Sequence, residues 1–432
     1  MKKLLIKNAE EILQIVDKGQ LFLTKAEMKN IVVLKKSNIN DGVSMVIDES
    51  GKIEKIGSDS EILNIYPDES VFERVLSVPG KCIVPGLVDG HTHPVWAGDR
   101  VHEFAMKLAG ATYMEVHKAG GGINFTVDHT RKASEDELTD SFCKRLQRML
   151  RSGTTTVECK SGYGLNLETE MKMLKVIENG RQQIPIEISS TYCGAHSVPK
   201  GMTALEATED IITKQIPAIL EGNASGQLSV ENIDVFCEKG VYSVEQSKRL
   251  LEIGRNGGLL INFHGDELSP LGGAEMGAAL GAKAIFHLEE ISSEGIQAMA
   301  SSGSAAVILP TTAYMLRLKS PPVREMIEAG VIVALGSDFN PNAFCSSMST
   351  VMHLACVNQK MSLEEVIVAA TLNSAYSLNR SASHGSLEAG KFGDFLVLNA
   401  PKWEHLIYQF GGHNEVIEYV IKKGDIVYSK NE

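Results

Sequence analysis

The order of apolar and polar residues divides the chain into two kinds of segment. Near both ends, short alternating runs separated by glycine turns predict β-strands, as in SMVIDESGKIEKIG (44–57) and VIEYVIKKGDIVY (416–428). Neither end carries enough apolar surface for a core of its own. Residues 1–80 and 386–432 are therefore predicted to meet in one small β-sandwich domain, with residues 81–385 inserted between them as a second domain.

In the inserted part, runs that are apolar at consecutive positions alternate with segments of helical spacing. Such runs are typical of strands buried on both faces of a parallel sheet, and segments 135–153 and 364–378 have the spacing of helices. Eight strand–helix units over this length predict an α/β fold, a (β/α)8 TIM-type barrel. A doubly wound open sheet is the alternative, but no G-x-G-x-x-G follows the first run. The eight runs are 82–89, 154–159, 186–193, 232–237, 259–264, 283–287, 305–310 and 331–338.

Metal-ligating residue types stand at the ends of several of these runs, where a barrel of this kind carries its chemistry. His91 and His93 end the first run, and residues two apart on a strand face the same side, so both imidazoles can point into the barrel mouth. His264 ends the fifth run and Asp338 the eighth. Three nitrogens and one oxygen suit zinc or ferrous iron and leave room for water. The sequence therefore predicts one divalent or trivalent metal ion held by these four residues.

A metal in such a site lowers the pKa of a bound water toward about 7, which makes hydroxide available at neutral pH. Asp338 can take a proton from that water, and Glu267 is placed to pass a proton between water and substrate. His287, at the end of the sixth run, can polarise a substrate carbonyl or orient the hydroxide. Each residue alone could be a helix cap or a solvated charge, but their coincidence at separately inferred strand ends favours catalysis.

Composition narrows the class of partner. The formal net charge of −12 argues against nucleic acid or an anionic membrane surface, so an anionic substrate needs a local cation. Seven cysteines without a C-x-x-C pair indicate reduced thiols in a cytoplasmic protein. The apolar run near the first residue is too short for a signal peptide. No run approaches the roughly 18 apolar residues of a membrane span.

Several motifs carry a family resemblance. VPGLVDGHTH, HGDE and GSD resemble the amidohydrolase superfamily of metal-dependent hydrolases, whose small β domain is similar to the two ends of this chain. The longer stretches ECKSGYGL, TYCGAHSVP and LGSDFNPN resemble the imidazolonepropionase family, especially its animal-type members, over nearly the whole chain. The resemblance implies hydrolysis of a cyclic amide, 4-imidazolone-5-propanoate, to N-formimidoyl-L-glutamate in L-histidine degradation. A metal-bound hydroxide would attack the ring carbonyl.

The same resemblance implies a set of substrate contacts and a homodimer. Within that set, Arg100 offers a bidentate clamp for the propionate carboxylate. Bacterial members usually carry Gly where this chain has Asn342, so the contact there is expected to change from backbone to side chain. The implied substrate-binding residues are Arg100, Tyr163, His196, Glu267, Asn340 and Asn342.

Three other functions remain as alternatives. A deaminase of the same superfamily would use the same metal set on a heterocyclic amidine and release ammonia. Arg100, Tyr163 and the segment AGGGI (119–123) favour a carboxylate-bearing cyclic amide instead. A binuclear hydrolase of the dihydroorotase kind needs a bridging lysine after the fourth strand, whereas Lys160 follows the second. A non-enzymatic scaffold is disfavoured because every predicted ligand is present.

Overall fold

A computed structural model describes residues 1–110, 115 and 121–431, and the first two residues of the AGGGI segment lie outside these ranges. The chain forms two compact composite units. The first comprises residues 1–89, 148–156 and 347–432, and the second comprises residues 90–147 and 157–346. The domain bounds expected from the sequence stay a prediction.

The strands of the described residues number eighteen and occur in every third of the chain. In chain order they are β1 (Lys2–Ala9), β2 (Glu11–Ile15), β3 (Val32–Lys35), β4 (Val43–Ile47), β5 (Ile53–Ser58), β6 (Phe72–Ser77), β7 (Cys82–Pro85), β8 (Leu87–Asp89), β9 (Thr154–Lys160), β10 (Glu187–Ala195), β11 (Val230–Cys237), β12 (Leu260–Gly265), β13 (Ala284–His287), β14 (Ala305–Ile308), β15 (Ile332–Leu335), β16 (Phe395–Leu398), β17 (Ile417–Lys422) and β18 (Asp425–Ser429).

Helices follow most of the barrel strands, as the alternating pattern predicts. The segment 364–378 contains two helices, because the chain turns at Ala370 and Thr371. No helix among the described residues is both long and apolar enough to cross a bilayer. The described α-helices are Lys36–Ile39, Asp59–Ile65, Val101–Leu108, Ile123–Lys132, Glu135–Arg151, Leu167–Gln183, Ala204–Asp210, Ile216–Ala224, Val244–Asn256, Gly273–Leu280, Ser293–Ser302, Pro310–Leu316, Val323–Ala329, Met348–Asn358, Leu363–Ala369, Leu372–Ser377, His405–Tyr408 and His413–Val416.

Strands from both chain ends build two sheets in the first unit. One has the order β5-β4-β1-β6 and the other the order β18-β17-β16-β7-β2-β3. Leu4 and Ile47 from the first sheet share a buried core with Ile83 and Phe395 from the second. Because alternate residues of each strand face this core, the two sheets form a sandwich. The prediction that the β-rich ends combine is confirmed.

The other eight strands, β8 to β15, form one parallel sheet in sequential order. Backbone hydrogen bonds bring its first and last segments together: Gly90 N donates to Leu335 O at 3.3 Å and Asp338 N donates to His91 O at 2.9 Å. Every residue of β13, β14 and β15 is buried, as expected of strands covered on both faces. The TIM-type barrel is confirmed and the open-sheet alternative is wrong.

The first predicted barrel strand, 82–89, is in fact two strands that belong to different sheets. β7 pairs with β16 and β2 in the sandwich, whereas β8 opens the barrel. Gly86 separates them, and a Cβ at this position would lie 2.1 Å from the Thr155 hydroxyl oxygen. Only glycine permits that close approach. The apolar run gave no sign of the division because both strands are fully buried.

Candidate active site

One cavity in the second unit brings together residues that lie far apart in the sequence. Ten of the eleven predicted site residues line it, and His91 lies directly behind the wall, fully buried. Phe236 and Leu268 add an apolar part to the lining. The lining residues that the sequence predicted are His93, Arg100, Tyr163, His196, His264, Glu267, His287, Asp338, Asn340 and Asn342.

The four predicted metal ligands converge at the floor of this cavity. Nε2 of His93 lies 3.2 Å from Nε2 of His91 and 3.2 Å from Nε2 of His264. Oδ1 of Asp338 lies 3.3 Å from Nε2 of His91 and 3.6 Å from Nε2 of His93. The ligand atoms of His91, His93 and Asp338 are close enough together to share one ion, and His264 forms groups of the same size with His93 and His196 and with His91 and His287.

Burial keeps these imidazoles neutral, as metal ligation requires. It lowers the pKa of His91, His93 and His264 well below the ordinary histidine value, and neighbouring cationic groups lower it further. Asp338 Oδ1 accepts no hydrogen bond from the described residues, whereas its Oδ2 accepts one from the Thr312 hydroxyl. The cluster therefore presents nitrogen lone pairs and one uncommitted carboxylate oxygen to the same point.

Two of the catalytic candidates sit in a backbone conformation that L residues rarely adopt. His287 has a φ of 73° and Asp338 a φ of 48°. Such positions are worth about 1–3 kcal/mol of strain each and persist where the surrounding fold fixes them. For Asp338 the fixing contact is its backbone bond to His91 across the closure of the barrel. Both side chains line the cavity.

A buried ionic network lies beneath the cluster. Lys160 Nζ lies 2.9 Å from a carboxylate oxygen of Glu158 and 2.9 Å from one of Asp234, and all three side chains are fully buried. The other oxygen of Asp234 lies 2.8 Å from Nδ1 of His264. This contact makes Nδ1 the protonated nitrogen and leaves the Nε2 lone pair for a metal, the arrangement that carboxylate-backed histidine ligands commonly show.

Lys160 stays charged in this network. Burial alone lowers its pKa, but Asp234 and Glu158 outweigh that effect and raise it above the ordinary lysine value. Its ammonium also lies 3.2 Å from Nδ1 of His91. An ammonium only donates, so Nδ1 of His91 is the acceptor in this contact. Ligation of a cation through Nε2 of His91 would require the ring hydrogen on Nδ1 and the Lys160 hydrogens directed to the two carboxylates.

His196 and Tyr163 form one side wall. The His196 ring stacks on that of His93 with centroids 4.5 Å apart, and the Tyr163 ring lies 5.3 Å from His196. Nδ1 of His196 donates to the Gly162 carbonyl at 3.0 Å, so Nε2 is an acceptor. Burial lowers the pKa of His196 to about 3, and His264 adds to the effect. The ligand atoms of His196, His93 and His264 also lie close enough together to hold a metal ion.

The proton-transfer candidates lie against each other on another wall. Oε2 of Glu267 lies 3.5 Å from Nε2 of His287. Burial raises the pKa of Glu267 well above its ordinary value, and the carboxylates of Glu289 and Asp338 raise it further. Burial lowers the pKa of His287 to about 3. The pair therefore favours a protonated carboxyl beside a neutral imidazole, which is the state needed to give a proton away.

Arg100 and the two asparagines also line the cavity. Arg100 Nε and Nη2 donate to the two oxygens of Glu103 at 2.9 and 2.7 Å. Asn340 Oδ1 accepts from the backbone of Asn342 and Ala343, so this side chain shapes its own loop. Asn342 is half-buried and its Oδ1 accepts from Lys107 Nζ. The predicted substrate contacts of both asparagines stay predictions.

Sequence reasoning missed Asp234, Glu103 and Glu289. Asp234 lies inside β11 and reads as one polar residue in a buried strand; only the parallel register of β11 with β12 brings it to His264. Glu103 and Glu289 look like ordinary helix and loop charges. The sequence carries no signal for these two residues. In the structure each is almost completely buried, which acidic side chains rarely are without a partner.

Comparison with known proteins decides the family. A model of the Amidohydrolase family matches residues 116–428. A protein of Mus musculus described as "Probable imidazolonepropionase" is 59% identical over 428 residues, 99% of each chain. One of Nematostella vectensis with the same description is 58% identical over 430 residues, 100% of each. The chain belongs to the imidazolonepropionases of the amidohydrolase family. As a member it is a hydrolase, and the family together with the His and Asp cluster indicates a metal ion.

A solved structure supports the family's fold. The E. coli guanine deaminase superposes with a TM-score of 0.71 over 100% of both chains at 16% identity. At this identity the likeness establishes the barrel with its terminal sheets and carries no information about the substrate. Full-length imidazolonepropionase relatives near 58% identity favour that activity over the deaminase alternative.

Proposed function

We propose that the chain hydrolyses 4-imidazolone-5-propanoate to N-formimidoyl-L-glutamate with one zinc or iron ion per chain. The observation that carries this proposal is a cavity lined both by a cluster of imidazoles and a carboxylate and by a buried arginine. Such a cavity suits a small cyclic amide whose ring must reach the cluster while its carboxylate tail meets Arg100. His91, His93, His264 and Asp338 would hold the metal, which when bound acidifies a water to serve as nucleophile.

The chain's own residues would position the substrate. Arg100 has five N–H donors and gives two of them to Glu103, so its end-on pair, Nη1 and Nη2, still has hydrogens for a carboxylate. Tyr163 and His196 form a wall against which a planar ring can lie. The Nε2 acceptor of His196 suits a ring N–H. Asn340 and Asn342 would close the outer side near the carboxylate tail.

Proton transfer would follow from the same arrangement. Asp338 takes a proton from the attacking water, and His287 faces the ring carbonyl oxygen. Glu267, with its raised pKa, donates to the ring nitrogen as the carbon–nitrogen bond breaks. One water is added, one ring bond is lost, and no nitrogen leaves the molecule. A product that keeps every nitrogen atom distinguishes this reaction from deamination.

The test is a paired assay on freshly generated substrate with metal-loaded protein. We expect loss of the ring's ultraviolet absorbance above the spontaneous rate, a mass gain of one water and no ammonia. Ammonia release would place the chain among deaminases, and an absence of turnover by fully metallated protein would rule out this substrate. A net charge of −12 supports a small-molecule substrate over nucleic acid. The proposal also includes a homodimer and a cytoplasmic location. Light scattering measures the oligomeric state.

Asp234 tests whether the buried network supports the metal. Asp234→Asn keeps the size of the side chain but removes the charge that holds His264 in its ligating tautomer. We expect metal affinity to fall about 10- to 100-fold, as for other outer partners of ligands. Competition with a chelator measures this without any turnover. Asp128→Asn, a change at a partly exposed carboxylate paired with Lys200, is the matched control. Equal metal affinity in both variants would contradict the prediction.

A further inference from the structure

Arg100 carries little uncompensated charge in this structure. Its guanidinium is only 6% exposed and makes two parallel hydrogen bonds to Glu103, which is fully buried. Gly122 N also donates to Glu103 at 2.8 Å, so this carboxylate is held from two sides. A bidentate pair of this kind is nearly neutral as a unit. A substrate carboxylate that approaches Arg100 therefore meets a fork of donors without a net positive charge.

Lys107 lies one helical turn after Glu103 and supplies the missing charge. It belongs to the helix Val101–Leu108, is half-buried, and forms no ion pair with a carboxylate of the described residues. Burial lowers the pKa of Lys107 and the nearby Arg100 lowers it further, while Glu103 offsets part of this effect. A partly buried ammonium is stabilised when a substrate carboxylate binds beside it, because the carboxylate replaces the solvation that burial removed.

Lys107 is not among the residues that line the cavity, but its ammonium contacts Asn342, which is. The ammonium only donates, so it must face the Oδ1 of Asn342, whose side chain lines the cavity beside Arg100. With Oδ1 turned to Lys107, the Nδ2 of Asn342 remains as a donor. Lys107, Asn342, Arg100 and Glu103 together then form a donor-rich group with a net charge of about +1.

We propose that Lys107 is a specificity-determining residue whose charge selects substrates that end in a carboxylate. The inference rests on the proposed function, since it assigns the end of the cavity that would receive the propionate. Arg100 fixes the orientation of the carboxylate, and Lys107 supplies the net attraction. A purely structural role, in which Lys107 only holds Asn342 as part of the wall, predicts equal effects on charged and neutral ligands.

Two stable probes of the same shape separate these roles: imidazole-4-propanoate and its primary amide, measured as competitive inhibitors of the metal-loaded enzyme. Lys107→Gln keeps a donor for Asn342 and removes the charge. We expect the inhibition constant of the acid to rise about tenfold, as for loss of one charge-assisted contact, and that of the amide to change less than about twofold. Lys107→Arg, which retains the charge, is expected to restore most of the preference for the acid.

Lys200→Gln is the matched control, because Lys200 is an exposed lysine of the same unit that pairs with Asp128. Equal losses for acid and amide in Lys107→Gln would overturn the inference in favour of a wall role, and unchanged constants for both probes would overturn it outright. A wild-type enzyme that binds the acid no better than the amide would also overturn it. Turnover of 4-imidazolone-5-propanoate by the same wild-type preparation decides the proposed function separately.

Discussion

His264→Ala is expected to lower kcat/KM by at least about a thousandfold and to leave the purified protein without its metal ion. His264 contacts both the cluster and the ionic network, through Nε2 to His93 and Nδ1 to Asp234. Loss of a ligand removes the means of acidifying the water, which is worth several kcal/mol in the transition state. Several kcal/mol corresponds to at least about three orders of magnitude in rate.

Metal content by elemental analysis and kcat/KM on the same preparation measure both parts of this prediction. His264→Ala also strips the partner from a buried Asp234, so a loss of fold must be separated from a loss of metal. His264→Asn retains a side-chain amide that can donate to Asp234 and serves as the second variant. His405→Ala, a change on a helix of the first unit, is the control. Retention of metal and activity by both His264 variants would contradict the assignment of this ligand.

The residues at the strand ends are the part of the site that could be predicted from the sequence. His91 and His93 were accessible because two facts suffice: a strand alternates its side chains, and a parallel barrel gathers its strand ends at one mouth. The same reasoning led to His264, His287 and Asp338. The structure brings all five together at the cavity floor. Predicting that these residues lie together required no distances, because the topology of the barrel alone brings them to the same end.

The supporting residues were out of reach for a different reason. Asp234 becomes a partner of His264 only through the register of β11 against β12, and it meets Lys160 from β9, a strand that is not its neighbour in the sheet. A sequence pattern marks polar residues within a buried strand but does not say which charges pair across strands. The sequence also did not predict the division of 82–89 at Gly86, because both halves are apolar. Glycine is needed at position 86 only because Thr155 approaches it from another strand.

Lys160 shows how burial changes the interpretation of a charge. The sequence places Lys160 just after the second strand, which is not the position of a lysine that bridges two metals. In the structure it is fully buried between Glu158 and Asp234, and its ammonium also lies 4.3 Å from the centre of the Phe286 ring. Burial raises the pKa of both carboxylates and the Lys160 ammonium lowers it, so the buried cation stabilises the charged form of the carboxylates beneath the cluster.

Glu267→Gln is expected to lower kcat by about 10²- to 10⁴-fold while metal content stays unchanged. Glu267 lines the cavity, is only 7% exposed and belongs to none of the metal-sized clusters of the described residues. Its replacement therefore removes a proton donor without removing a ligand, and loss of general acid catalysis has this magnitude. The effect should fall on kcat more than on KM, because the proton is transferred in the transition state.

Single-turnover rates and metal content of the same samples measure this expectation, with Glu294→Gln as the control at an exposed helix position. A parallel His287→Asn variant tests whether Glu267 or His287 donates the proton. If Glu267 gives the proton to the departing ring nitrogen, Glu267→Gln should be the more damaging change. A fall in kcat confined to His287→Asn would instead make His287 the proton donor and Glu267 its positioning partner across their 3.5 Å contact. Loss of metal from Glu267→Gln would mean that the carboxylate supports the metal site rather than the proton transfer.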